Sequence, residues 1–234
     1  MRQSSHFFVL LFSLAFFRTA IAQPLTKGEL LYVNSFSVKD SLQDWVMEGP
    51  GSTECKDGWM QLYSPKEKGH HVLWFKKDIP ENFRAEWEVQ NLNPKAGLCI
   101  VFFAATGLNG EAIFDVALPK RNGQFKQYIN GAIKTYHISY YANAKNEPGR
   151  AIAHLRKNPG FQKVQAGKEG IPIHSQSIHK IVLMKQNGLI QLFVDDRSVI
   201  HWEDKTDILG KGKIGFRQMK WTRFAYRNFR VWTL

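Results

Sequence analysis

Between residues 136 and 143 the chain reads Tyr136-His137-Ile138-Ser139-Tyr140-Tyr141-Ala142-Asn143, and Arg150, Arg156 and Lys157 follow closely. Strand alternation predicts His137, Ser139 and Tyr141 on one face and Tyr136, Ile138 and Tyr140 on the other. An imidazole and a phenol side by side, with guanidinium groups near, can draw a proton from a carbon next to a carboxylate. One group takes the proton while a cation and hydrogen-bond donors stabilise the charge that spreads onto the carboxylate. A neighbouring arginine favours phenolate, and histidine titrates near neutrality. His137, Tyr141 and Arg217 are therefore the candidate catalytic set. Arg217 is preferred as the carboxylate's partner because its strand, Gly215-Phe216-Arg217-Gln218, is flanked by glycine and aromatics. Arg150 and Arg156 on the following loops, with Tyr140 and Gln218, are candidate substrate contacts, since a guanidinium grips a carboxylate or sulfate through two parallel hydrogen bonds.

Two further constellations compete with this one. In His70-His71-Val72-Leu73-Trp74 an aromatic ring near imidazoles could form a sugar platform, and His71 and Trp74 are its candidate contacts. Successive strand residues point oppositely, so only one of the two histidines can share the face of Trp74, and packing is the alternative use of that ring. Glu86 and Glu88 share a face of Phe83-Arg84-Ala85-Glu86-Trp87-Glu88-Val89 about 7 Å apart. Paired carboxylates are the apparatus of glycoside hydrolysis. A salt-bridged face is the alternative, and Glu86 is also a candidate substrate contact. Asp195-Asp196 predicts a turn rather than a calcium site, which needs six or more oxygens. No cofactor motif and no metal-ligand spacing is present, so no cofactor and no metal are expected.

The elements that would have to carry these groups are short. From Leu30 onward, apolar or alternating runs are separated by Gly, Pro, Asn and Asp, the pattern of an all-β, two-sheet antiparallel sandwich in one domain. Phe83, Ala85, Trp87 and Val89 form one strand face, and Leu98 to Ala104 reads as a central strand covered on both sides. Gln186-Asn187-Gly188 between apolar runs predicts a hairpin. The stretch from Ala142 to Ile173, with Pro148, Pro159 and Pro172 among its basic residues, reads as one or two long loops of the kind that line binding sites.

Arg2, an apolar run from Phe7 to Phe17 and Ala20-Ile21-Ala22 match a secretory leader over 1–22, leaving a domain over 23–234. Export to the periplasm or beyond after cleavage near Ala22 is expected, with no membrane insertion, because the apolar run is too short to span a bilayer. Cys55 and Cys99 could pair there or remain buried thiols. The whole chain carries a formal net charge of +12; loss of Arg2 and Arg18 leaves 30 basic against 20 acidic residues, or +10. The basic residues are scattered and form no polybasic block, so no nucleic-acid partner is expected. A basic cleft suits an acidic oligosaccharide or polysaccharide better. The exposed edges of a sandwich leave monomer and dimer both open.

Asp44-Trp45-Val46-Met47-Glu48-Gly49, His70 to Trp74, Ala85-Glu86-Trp87-Glu88-Val89-Gln90-Asn91, Tyr136 to Asn143, and Ile214-Gly215-Phe216-Arg217-Gln218-Met219 with Trp221 occur in order. Together they resemble the YesU-like family, a domain of unknown function, over nearly all of the mature chain. The resemblance implies a galectin-like or concanavalin-like jelly roll and an association with degradation of uronic-acid-containing polysaccharides. It supplies no catalytic residues. Residue chemistry and resemblance together give the expectation of a carbon–oxygen lyase or dehydratase acting by β-elimination on uronate oligosaccharides. The alternatives are a non-catalytic carbohydrate-binding module, or a hydrolase using Glu86 and Glu88.

Overall fold

The computed structural model describes residues 27–66, 69–143, 151–219 and 221–234. The expected leader and Arg150 lie outside the described residues.

One antiparallel sheet runs β13 (Arg197–Glu203), β12 (Leu189–Val194), β11 (Ile178–Gln186), β6 (Phe83–Asn91), β15 (Arg223–Thr233), β4 (Trp59–Tyr63) and β3 (Ser52–Lys56), with β1 (Leu30–Asn34) also on β15. The second runs β10 (Gln162–Glu169), β9 (Ile152–Asn158), β8 (Ile133–Asn143), β7 (Gly97–Gly107), β14 (Lys213–Met219), β5 (His71–Phe75) and β2 (Trp45–Glu48). The chain is thus a two-sheet sandwich, as its alternation predicts. Phe83, Ala85, Trp87 and Val89 turn inward from β6 and meet Ile214 and Phe216 of β14 and Val101 and Phe103 of β7 in one core. Trp87 packs its ring against Phe216 at 5.3 Å. The Asn187-Gly188 hairpin forms between β11 and β12, with both residues at positive φ. The Asp195-Asp196 turn joins β12 to β13 in the same way.

One expectation is corrected, and one open alternative is decided. In the stretch from Ala142 to Ile173 the described residues form mainly the β9–β10 hairpin, which pairs Lys157 with Gln162, where long loops were expected. Ala153 and Leu155 point into the core, while the basic and polar residues between them hide the period of two. Cys55 and Cys99 are free thiols on opposite sheets, and burial raises the pKa of both.

Among the described residues, the outer face of the seven-stranded sheet is covered on one half only. Between β7 and β8 the chain makes an excursion, residues 108–132, ending in the single-turn helix α1 (Lys126–Ile129). Ile113 and Tyr128 from this excursion pack on Val72, Trp74 and Phe102 as a second apolar cluster. Glu48 pins it: Arg121 meets both carboxylate oxygens, at 2.7 and 3.1 Å, Tyr128 donates at 2.8 Å and Trp74 Nε1 at 3.0 Å. Gly215 makes room, since a Cβ there would strike the Trp74 ring. The uncovered half, over β7, β8 and β9, is a hollow.

Candidate functional site

Strand pairing sets side chains across the hollow in rows. Gly215, Phe102, His137 and Arg156 are register partners on β14, β7, β8 and β9, and Arg217, Ile100, Ser139 and His154 form the next row. His137 and Ser139 on β8 therefore stand beside Arg156 and His154 on β9 as a patch of four. Directly opposed residues have Cβ atoms about 5 Å apart. Met219, Leu98 and Ala142 close one end, and Phe125, Ile129 and Phe161 form the walls. The hollow encloses about 550 Å³, within the range of small-ligand sites. Its polar lining consists of His137, Ser139, His154 and Arg156, with no carboxylate among the described lining residues.

His137 is almost wholly buried, stacked on Phe161 and edge-on to Phe102 and Phe125. Asn158 Nδ2 lies 2.8 Å from its Nδ1 and also donates to the Thr135 carbonyl at 3.2 Å. The amide must therefore present hydrogens to the ring, which makes Nδ1 an acceptor and leaves the proton on Nε2. Burial, then the charges of Arg156 and Arg217, hold the imidazole well below its ordinary pKa. It is a neutral hydrogen-bond donor at physiological pH. The Arg156 guanidinium lies over the Phe161 ring at 4.3 Å.

Arg217 lies on the same side of β14 but behind the wall. It is fully buried, its guanidinium 4.2 Å over the Phe125 ring, with hydrogen bonds to Met219 Sδ (3.3 Å) and His70 Nδ1 (3.2 Å). Burial lowers its pKa to about 9.

The other expected site residues are elsewhere. Tyr141 does not share the face of His137, because a β-bulge intervenes: Cys99 pairs with Tyr141 but Ile100 with Ser139, so Tyr140 is an extra residue. Tyr140 and Tyr141 consequently both belong to the inter-sheet core. Tyr141 OH accepts from Asn91 at 2.9 Å and donates to the Ile173 carbonyl at 3.1 Å; burial first of all pushes it up to about 12, so it is no phenolate base. Tyr140 is likewise raised by burial. Gln218 turns inward and bonds Tyr226 OH at 3.0 Å. His71 is in the wrong register as well: it lies on the face of Leu73 and Phe75, gives Nδ1–H to the Gly69 carbonyl at 2.9 Å, and is lowered to about 4 chiefly by burial. His70 instead reaches Arg217. Trp74 is buried under the excursion against Phe102 and Tyr128, so it packs and offers no platform.

Glu86 and Glu88 point outward from the other sheet. Glu86 meets Arg84 at 2.6 Å and Lys27 at 3.0 Å, and Glu88 meets Arg227 at 2.6 Å. Burial raises their pKa values, but the hydrogen bonds and cations outweigh it and the net shift of both is downward. Hydrolysis needs one carboxyl group with a raised pKa. This pair is a salt-bridged face, and Glu86 touches no part of the hollow.

Sequence reasoning missed Phe125, Phe161, Asn158 and His154 as parts of one site with His137 and Ser139. The alternation of His154 and Arg156 with Ala153 and Leu155 was the available signal, concealed by the apparent loop.

The family description "Domain of unknown function (DUF1961)" matches residues 29–231. Uncharacterized protein YesU of Bacillus subtilis strain 168 is 32% identical over 212 residues, covering 88% of this chain and 96% of that protein. A Bacillus subtilis protein of unknown function with a galectin-like fold superposes with a TM-score of 0.84 at 32% identity, over 89% of this chain and 97% of that one. A LamA variant from Z. galactanivorans, solved with laminaritriose and laminaritetraose, shares the fold at a TM-score of 0.60 and 14% identity, over 89% of this chain and 100% of its own.

Proposed function

The chain belongs to the DUF1961 family, a domain of unknown function, and from that premise we propose that it is a carbon–oxygen lyase or dehydratase that takes an acidic saccharide into the hollow and eliminates across its uronate ring. The observation that carries the reading is a cationic, aromatic-walled hollow with a buried neutral imidazole in it and no carboxylate among its described lining residues. Cationic and hydrogen-bond-donating groups select an anionic ligand and stabilise the charge that develops on its carboxylate. A relative in fold alone binds oligosaccharides on the same architecture, which supports a saccharide as the ligand while leaving the chemistry to the site.

In the proposed reaction Arg156 neutralises the uronate carboxylate, and His154 takes the proton from the adjacent carbon. The freed electron pair forms the carbon–carbon double bond as the bond to the neighbouring oxygen breaks. His137 Nε2–H hydrogen-bonds the departing oxygen, which leaves with the proton returned from His154. If that oxygen belongs to the next sugar the step is a lyase reaction; if it is a free hydroxyl, water leaves. Export past the cytoplasmic membrane is part of the proposal, since such saccharides are met outside the cell.

Purified protein is incubated with defined uronate oligosaccharides while ultraviolet absorbance of the conjugated product and its mass are followed. Growth of absorbance with cleavage, or with loss of one water, is expected. Hydrolytic cleavage with water gained and no absorbance overturns the reading, and saccharide retained unchanged leaves a binding module.

A further inference from the structure

Among the described residues, Arg84, Lys185, Lys213 and Arg217 are cations buried as whole residues, and the first three each meet a carboxylate: Glu86 at 2.6 Å, Glu81 at 3.9 Å and Asp78 at 2.5 Å. Arg217 meets none. Its hydrogen-bond partners are a neutral imidazole nitrogen and a thioether, and its Nε has no partner. A buried charge without a counter-ion is costly and is kept where something offsets it. The Nε side of a guanidinium is one of the edges that grips a carboxylate with two parallel bonds.

What separates Arg217 from the hollow is thin. Phe125 stacks on the guanidinium from one side and helps line the hollow from the other, and Met219 does likewise at the closed end. Phe125 is partly buried. It sits between Gly123, at positive φ, and the single turn of α1, which has no side-chain cap at its start. Its ring packs at the margin of the second apolar cluster and over the guanidinium, with edge contacts to His137 and Phe161 at 5.8 and 5.5 Å. Such contacts are weak beside a charge-assisted bidentate pair in a dry site.

We infer that Arg217 is an interior carboxylate subsite closed by the Phe125 ring, and that an acidic saccharide opens it by displacing that ring and seating its carboxylate on the guanidinium. The inference rests on the proposed reading of the hollow as an acidic-saccharide site. It adds a second cation to the carboxylate's surroundings and makes Phe125 a specificity-determining residue. A neutral sugar leaves the ring in place and gains nothing from Arg217.

Isothermal titration tests this with disaccharides ending in galacturonate, glucuronate or iduronate, each beside its carboxyl-reduced neutral counterpart. Wild type is expected to prefer at least one uronate over its neutral form. Phe125→Ala is expected to bind that uronate about tenfold tighter, because the cost of opening is removed, and Phe125→Trp about tenfold more weakly, with the neutral sugar little changed by either. Arg217→Met is expected to lose about 10- to 100-fold in uronate affinity only. A crystal structure of the complex should place the carboxylate against Arg217 with Phe125 rotated away. Uronate affinity unaltered in Arg217→Met and in both Phe125 variants, or a carboxylate on Arg156 with Phe125 unmoved, overturns the subsite and leaves the hollow's reading standing. Binding of no uronate by wild type overturns both.

Discussion

Arg121 and Arg217 are held against the outer face of the same sheet, a few strands apart, and they differ in what meets them. Arg121 forks onto Glu48, whose second oxygen also takes Tyr128 and Trp74, so each charge and ring tip there is matched by another part of the chain. Arg217 has sulfur and neutral nitrogen. The first arrangement is a fastening, which locks the excursion over half of the sheet. The second is electrostatically incomplete, and it lies beside the half left open. A buried charge completed within the chain serves the fold, whereas one left incomplete beside a cavity is a place where stability is given up to bind something else.

The contrast predicts that substitutions in the open half strike activity and those in the covered half strike stability. His154→Ala should lower turnover of a uronate oligosaccharide by about 10²- to 10⁴-fold, the usual contribution of a positioned base, with an unaltered circular dichroism spectrum. Loss below tenfold would remove His154 from the proposed role. Glu48→Gln, which leaves Arg121 buried without its counter-ion, should cost about 3–5 kcal/mol in urea unfolding. Arg217→Met should move stability the other way, by roughly 1–4 kcal/mol, because removing an uncompensated buried charge relieves the fold. Equal destabilisation by these two variants would erase the distinction between the halves.

Acid should reveal the buried imidazoles. His71 is lowered from 6.5 to about 4, and His137 is lowered too, in each case first by burial. Between those values the unfolded chain binds a proton that folded His71 refuses, so stability falls as pH drops from about 6.5 and the His71 loss is complete near 4. The slope is at most about 1.4 kcal/mol per pH unit for each histidine. Urea midpoints at pH 7 and pH 5 measure it, and His71→Gln should flatten the difference. The smallest effect belongs to the other sheet: Glu86→Gln and Glu88→Gln should leave turnover within about twofold of wild type, since their partners do not touch the hollow. A large loss there would reinstate the hydrolytic pair.

The period of two in β6 and the Asn187-Gly188 and Asp195-Asp196 turns were readable from sequence because each depends on a few adjacent residues: side chains that alternate, or a backbone at positive φ. The same local rule correctly put His137 and Ser139 together, and Gly215 beside Arg217 marked a strand with little room. It failed one residue later, at Tyr140, where the bulge turns Tyr141 into the core; an extra residue in one strand is defined by its partner strand, which lies some forty positions away in the chain. The choice of His70 over His71 to reach Arg217 likewise depended on how β5 docks between β2 and β14. Above all, the covering of one half of the sheet by residues 108–132 came from Glu48 collecting Arg121, Tyr128 and Trp74 from distant segments. Alternation is a property of the chain, and residue type and pattern sufficed to specify an all-β sandwich with a basic surface. Which cation received a carboxylate and which was left without one behind the wall of a hollow was decided only when the strands were assembled, because charge pairing acts through space.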